Sequence, residues 1–81
     1  MTREEIFHDL RKRMHDMFEI TPDRVTLEAD LRNDLGLDSI DAIDMAASLQ
    51  KMTGEKVDLS KLKSIRTVAD VVDLVDQHLH R

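Results

Sequence analysis

The feature of this chain that most restricts its fold is a set of three segments in which apolar residues recur at helical spacing. The first segment begins at Thr2, whose hydroxyl can form a capping box with Glu5. The apolar residues that follow lie on one helical face, which we expect to end near Phe18: Ile6, Leu10, Met14, Met17 and Phe18. No alternation of apolar and polar residues persists anywhere in the chain. The pattern therefore predicts an all-α protein.

The second helix is expected to begin after Gly36, which can adopt the left-handed conformation of an abrupt turn. Asp38 or Ser39 can cap this helix, and we expect it to end near Gly54. Its apolar residues fall on two neighbouring rows: Ile40, Ile43 and Ala47 on one, and Met45, Ala46 and Leu49 on the other. The two rows together predict the apolar stripe of this helix.

The third long helix is predicted from the cap pair Thr67 and Asp70. Apolar residues at helical spacing follow: Val68, Val71, Val72, Val75 and Leu79. Before it, Val57, Leu59 and Leu62 indicate a connector with room for one short helical turn. We therefore predict a small four-helix bundle, with three main helices and one short helix.

The first connection of this bundle is predicted to be a long loop. Pro22 interrupts the first helical pattern, and no helical period is sustained from there to Leu37. A connection of this length is uncommon in a compact domain and usually carries function or disorder. Its spaced apolar residues predict that it is ordered, and therefore functional: Val25, Leu27, Leu31, Leu35 and Leu37.

Composition excludes several classes of protein. A chain of 81 residues predicts one domain spanning residues 1–81, which we expect to be a monomer. The absence of cysteine excludes disulfides, cysteine-bound metals and a protein thiol nucleophile. No apolar run exceeds three residues and no leader pattern is present, so we expect no transmembrane segment and a cytoplasmic location. Two aromatic residues and a net charge of −5 argue against nucleic-acid binding.

Neither a metal site nor catalytic machinery can be assigned. His8 and His15 lie on one predicted helix without a second ligand at the required spacing, so we expect both on the surface. If Gly36 were the sixth position of a calcium loop, Leu31 and Leu35 would occupy ligand positions, which excludes that site. No phosphate-binding loop or nucleophile elbow is present either. We therefore predict a protein that is not an enzyme.

The negative charge is concentrated in the middle of the chain. Residues 28–50 contain six acidic residues and only one base, Arg32, which gives this segment alone a net charge of −5. Such a run is often no more than a solvated face, but a concentrated field of one sign also steers partners of opposite charge.

Within this segment, Ser39 follows the predicted turn and stands at the start of a helix. Backbone amides and the positive end of the helix dipole favour a phosphate attached at such a position. No base for Ser39 can be assigned, so we interpret it as a residue that another enzyme modifies. The local pattern alone also allows a simple N-cap serine.

The segment Leu35-Gly36-Leu37-Asp38-Ser39-Ile40 resembles the phosphopantetheine attachment motif of acyl carrier proteins, where Asp-Ser-Leu or Asp-Ser-Ile follows Leu-Gly-x. The apolar positions from Ile6 to Val75 also follow the order of that family's core. The resemblance implies a four-helix fold with a long first loop and a short third helix. It also implies that a phosphopantetheinyl transferase moves the arm from coenzyme A to Ser39, and that acyl groups are then carried on the arm as thioesters.

The resemblance implies further roles for neighbouring residues. Asp38 corresponds to an aspartate that helps to hold magnesium in the transferase complex, a role compatible with helix capping. Asp41 and Asp44 correspond to acidic positions that meet basic patches on partner enzymes. Ile40 and Met45 are candidate apolar contacts at the same interface, although we expect Ile40 mainly to pack in the core. The partners implied are the transferase, an acyl-loading enzyme, a ketosynthase and other enzymes of the pathway.

The pathway and the cargo remain open at this point. Gln50 and Lys51 stand where fatty-acid carriers are usually rich in glutamate, which favours a polyketide or aryl-polyene-like pathway over fatty-acid synthesis. Small residues on the second helix can leave room for an acyl chain or can serve close packing: Ala42, Ala46, Ala47 and Ser48. The alternative functions are a peptidyl or aminoacyl carrier and an acidic helical interaction module that carries nothing.

Overall fold

The computed structural model describes residues 1–54 and 64–79, and its helices occur where the capping patterns predict them. Helix α1 spans Arg3–Phe18, a 3₁₀ helix spans Pro22–Arg24, α2 spans Ser39–Thr53 and α3 spans Val68–Leu79. In the described ranges the β-structure is limited to one isolated antiparallel bridge, between Asp30 and Thr67. The all-α prediction is confirmed, whereas the short helix expected around Val57, Leu59 and Leu62 lies outside the described residues.

Both ends of α1 are closed by local hydrogen bonds. The Glu5 backbone N–H donates to Thr2 Oγ1 at 3.1 Å, and the Thr2 N–H donates to Glu5 Oε1 at 2.9 Å, which completes the predicted capping box. Glu19 ends the helix in the left-handed conformation with φ of 58°. The helix buries Ile6, Leu10 and Met14, while Met17, expected on the same face, is 38% exposed.

The long first loop is ordered by hydrogen bonds to the start of α3. Leu31 N–H donates to the Arg66 carbonyl at 2.8 Å, and Val68 N–H donates to the Ala29 carbonyl at 3.1 Å. The side chains of Val25, Ala29 and Leu35 are buried beneath the loop. The predicted apolar contacts of the loop with the core are confirmed for Val25, Leu31, Leu35 and Leu37, but the prediction is wrong for Leu27, which is 40% exposed. Backbone hydrogen bonds to the start of α3 also hold the loop.

Helix α2 faces the core with only one of its two apolar rows. Met45, Ala46 and Leu49 are buried, whereas Ile40 is 68% exposed and Ile43 is 57% exposed. Successive residues of a helix are rotated by about 100°, so a helix that buries positions 45, 46 and 49 turns position 40 almost directly away from the core. The expectation that Ile40 packs in the core is therefore wrong. The predicted stripe is confirmed for Met45, Ala46 and Leu49 and wrong for Ile40, Ile43 and Ala47, which are exposed.

Among the described helices, α3 contributes the largest set of buried side chains, and this set includes a leucine that the helical pattern missed. Its buried residues are Val68, Val71, Val72, Leu74 and Val75. The Arg3 guanidinium forms an ion pair with Asp73, which links the start of α1 to α3. The Arg13 guanidinium donates to Ser48 Oγ and is oriented by Asp9 Oδ2 at 3.2 Å, which links α1 to α2. The contact of Arg13 with Ser48 therefore helps to hold α2, the helix that begins at Ser39, against α1.

Candidate functional site

Ser39 is the first residue of α2, and the capping of this helix is performed by its neighbour. Asp38 Oδ1 accepts hydrogen bonds from the backbone N–H groups of Ile40 and Asp41, both at 3.0 Å. Asp41 Oδ2 in turn accepts from the Asp38 N–H at 3.1 Å, which closes a capping box. The cap is therefore Asp38, and the interpretation of Ser39 as a simple N-cap residue is wrong. Ser39 is exposed, so its hydroxyl is accessible to another protein.

The turn that delivers the chain to Ser39 is built around two residues. Asp30 Oδ1 accepts from the backbone N–H groups of Arg32 and Asn33 at 2.9 and 2.8 Å, and this bends the chain back on itself. Gly36 then takes φ of 70°, a conformation in which a side chain is strained. The expected left-handed turn before α2 is thus confirmed.

The carboxylate of Asp38 is stabilised in its charged form. The hydrogen bond from the Asp41 backbone N–H, followed by that from Ile40, holds the pKa of Asp38 below its ordinary value of 3.8. An exposed carboxylate that stays ionised at neutral pH can supply a ligand oxygen to a magnesium ion brought by a partner.

The four predicted partner contacts occupy different positions. Asp44 is exposed beyond the first turn of α2, while Asp41 is partly buried by its role in the cap. Ile40 is exposed, but Met45 is only 6% exposed and belongs to the core, so the prediction of Met45 as a surface contact is wrong. Ile43 was missed, although its high exposure and its place beside the acidic residues suit it to the same surface.

A cleft of about 760 Å³ opens beside Ser39 between α2 and the loop. Its deepest lining residues are apolar and buried: Met14, Met45, Leu49 and Val71. Polar and charged residues line its mouth, among them Asp30, Arg32, Asn33 and Arg66. Of the four small residues on α2 considered for an acyl channel, only Ala42 lines this cleft; Ala46 is buried in the core. The cleft therefore extends along α2 from Ser39 to Leu49, and Ala42 is the one residue of the small-residue set that faces it.

Within residues 1–54 and 64–79, no group of three or more acidic, histidine or cysteine side chains is arranged to hold a metal ion. His8 and His15 are both exposed on α1, as expected. None of the described helices is both long and apolar enough to cross a membrane.

Comparison with known proteins identifies the class to which this fold and site belong. The sequence model described as "Phosphopantetheine attachment site" matches residues 8–75. The acyl carrier protein of Coprothermobacter proteolyticus is 39% identical over 80 residues, covering 99% of this chain and 98% of that protein. Acyl carrier protein 2 of Ralstonia nicotianae is 47% identical over 79 residues, covering 98% of each.

The solved structure of an acyl carrier protein from Enterococcus faecalis has a TM-score of 0.77 and 29% sequence identity, and the match covers 96% of this chain and 99% of that one. A helical carrier that receives a phosphopantetheine arm is thus the class that fold and site define. The chain belongs to the acyl carrier protein family, and its cofactor is phosphopantetheine.

Proposed function

We propose that the hydroxyl of Ser39 is the attachment point of the phosphopantetheine arm. The observation that carries this proposal is that Asp38 caps α2, which leaves the exposed Ser39 hydroxyl without a capping role. No residue in the described part of the chain forms a hydrogen bond with Ser39 Oγ, so a transferase meets an unengaged nucleophile. The residues present therefore fit the group that the family carries.

Attachment joins Ser39 Oγ to the phosphorus of the pantetheine phosphate of coenzyme A. The phosphoanhydride bond breaks, adenosine bisphosphate leaves, and the hydroxyl proton passes to a base of the transferase. Asp38, whose carboxylate is held in its ionised form, would supply a ligand oxygen to a magnesium ion in the transferase complex, and that ion would neutralise charge on the transferred phosphate. The arm, once attached, supplies a thiol on which acyl groups are carried as thioesters, and the protein itself catalyses no reaction.

The partner-binding surface is the exposed face of the first two turns of α2. Asp41 and Asp44 supply negative charge to this surface. Ile40 and Ile43, whose side chains are 68% and 57% exposed, supply its apolar contacts. Charged residues around a small apolar centre favour fast, oriented encounter more than tight binding. That combination suits a carrier which must reach and leave several enzymes through their basic patches: the transferase, an acyl-loading enzyme and a ketosynthase.

The proposal extends to the domain organisation, oligomeric state, location and pathway of the protein. The chain acts as one acyl-carrier domain over residues 1–81, as a monomer in the cytoplasm, where coenzyme A and the transferase are available. Gln50 and Lys51 remove the acidic character usual in the later part of this helix in fatty-acid carriers. This difference favours service in a polyketide or aryl-polyene-like pathway over fatty-acid biosynthesis.

Intact-mass spectrometry tests the attachment site. The purified protein is incubated with a phosphopantetheinyl transferase, coenzyme A and magnesium, alongside Ser39→Ala and the control Ser64→Ala, which removes an exposed serine outside the motif. We expect the wild type and Ser64→Ala to gain the mass of one phosphopantetheinyl group and Ser39→Ala to gain nothing. An unmodified wild type, or a modified Ser39→Ala, contradicts the proposal.

Loading assays on the modified protein then separate the remaining alternatives. Malonyl, fatty acyl and aminoacyl donors are offered with their loading enzymes, and the thioester product is measured by mass. Acceptance of malonyl or acyl groups supports the acyl carrier assignment, whereas acceptance of amino acids alone indicates a peptidyl or aminoacyl carrier.

A further inference from the structure

The phosphate of an arm on Ser39 would enter a local surrounding that is unfavourable to an anion. The carboxylate of Asp38 is adjacent, and that of Asp41 lies on the same first turn. The amides that would ordinarily receive a phosphate at a helix start are already used, because Asp38 Oδ1 accepts from Ile40 and Asp41. The amides of Ile40 and Asp41 are therefore not available to stabilise the phosphate, contrary to the expectation for a helix start. Positive charge that compensates the phosphate must therefore come from residues outside the first turn of α2.

Two arginines lie at the mouth of the cleft that Ser39 also lines. Among the described lining residues, Arg32 and Arg66 are the only basic ones. The segments that carry them are joined by backbone contacts: the Leu31 N–H donates to the Arg66 carbonyl at 2.8 Å, next to the bridge between Asp30 and Thr67. Both arginines are exposed, so their side chains are accessible at the mouth.

The guanidinium groups have hydrogen-bonding capacity to spare. Arg32 is the only basic residue of the acidic segment 28–50. Its backbone N–H donates to Asp30, but within the described part of the chain no residue accepts a hydrogen bond from its guanidinium. The Asp70 carboxylate accepts a hydrogen bond from the Arg66 backbone N–H at 2.9 Å, and within the described residues the Arg66 guanidinium has no hydrogen-bond acceptor either. A guanidinium has five N–H donors, so both arginines have donors available for an anion.

We propose that Arg32 and Arg66 bind the phosphodiester of the arm attached to Ser39 and hold the first part of the arm across the mouth of the cleft. This inference rests on the attachment proposed above. Guanidinium groups bind phosphate oxygens through paired, charge-assisted hydrogen bonds, which suits two arginines on the wall opposite α2. The pair thereby offsets the repulsion between the phosphate and the two aspartates at the start of α2.

A thermodynamic cycle tests this binding, with the arm as one change and the arginines as the other. The midpoint of thermal unfolding is measured by circular dichroism at low salt for the apo and holo forms of the wild type and of the double variant R32Q/R66Q. The control is K12Q, which removes the same kind of charge from an exposed site on α1 away from the cleft. The change in midpoint on attaching the arm is the quantity compared.

We expect the holo-minus-apo change in midpoint to be about 2–5 °C less favourable in R32Q/R66Q than in the wild type, because two exposed charge contacts are lost. K12Q is expected to match the wild type, and R32K/R66K, which keeps both charges, to retain part of the effect. If R32Q/R66Q does not fold, the single variants R32Q and R66Q are each expected to show a smaller change of the same sign.

A second readout reports on the phosphate directly. The ³¹P resonance of the holo wild type is expected to differ from that of the holo arginine variant, and raising the salt concentration is expected to reduce the difference. An equal holo-minus-apo change in wild type and variant, or an identical ³¹P resonance, overturns the proposal. Intact mass is measured first: an unmodified wild type overturns both proposals, whereas a modified Ser39 with an unchanged cycle overturns only this one.

Discussion

Truncating Met45 to alanine is expected to destabilise the protein strongly, while truncating Ile43, two residues earlier on α2, is expected to leave its stability almost unchanged. Met45 is 6% exposed and Ile43 is 57% exposed. The two side chains are both apolar and similar in size, so the comparison isolates the direction in which α2 faces. It also separates residues that stabilise the fold from residues available to partners.

The magnitudes follow from burial. A buried methionine replaced by alanine costs about 2–5 kcal/mol, and the lower half applies here because Met45 also lines the cleft, where the surroundings are less closely packed. At about 4–8 °C per kcal/mol for a domain of this size, a loss near 2.5 kcal/mol lowers the midpoint by roughly 10–20 °C. Ile43→Ala, as an exposed substitution, is expected to change stability by less than about 0.5 kcal/mol.

The assay is thermal unfolding of the apo protein followed by circular dichroism, with the rate of arm attachment by the transferase as the functional readout. Well below its unfolding midpoint, Met45→Ala is expected to be modified at the wild-type rate. Ile43→Ala is expected to lose about 1 kcal/mol of docking energy, a roughly five-fold decrease in rate at low protein concentration. Equal destabilisation by both variants, or a larger effect at Ile43, would refute the orientation of α2 described above.

Three further changes have expected outcomes. Asp44→Lys is expected to slow acyl transfer to partner enzymes by about 3–10-fold at low salt, with little difference at high salt; equal rates at low salt contradict a steering role. Asp70 has a pKa below its ordinary 3.8, mainly because the Arg66 backbone N–H donates to it. The ionised Asp70 carboxylate therefore stabilises the folded state fully above the ordinary pKa, and this stabilisation is lost as the pH falls through the lower folded-state pKa of Asp70. An acid series of unfolding midpoints should show a smaller loss for Asp70→Asn than for the wild type, and parallel curves argue against this role. Arg13→Ala removes the hydrogen bonds to Ser48 and is expected to lower the unfolding free energy by about 1 kcal/mol, measured by urea denaturation; an unchanged urea midpoint contradicts the link between α1 and α2.

The helix boundaries were predictable because they depend on local chemistry. Thr2 and Thr67 each pair with an acidic residue three positions later, and such pairs mark helix starts with little dependence on tertiary contacts. Gly54 adopts a φ of 72° at the end of α2, as a C-terminal glycine does. The position of Ser39 at a helix start follows from the same kind of short-range pattern, whereas its role as an attachment site is predicted by the resemblance of the surrounding motif to that of the family.

The orientation of α2 was not predictable in the same way. Ile40 and Met45 belong to two apolar rows of comparable strength, and only packing against α1 and α3 decides which row is buried. The placement of Arg32 and Arg66 on one cleft has a similar origin, since it depends on the backbone contact of Leu31 with Arg66, two residues far apart in the chain. Sequence periodicity describes one helix at a time and therefore carries no information on either point.

Localisation of the arm by fragmentation mass spectrometry tests the central claim most directly. The holo protein is digested, and the peptide that contains the Leu35–Ser39 motif is fragmented to assign the modified residue. We expect the phosphopantetheinyl mass on Ser39 and on no other residue. Its presence on a different serine or threonine, or its absence from folded protein treated with an active transferase, would contradict the account.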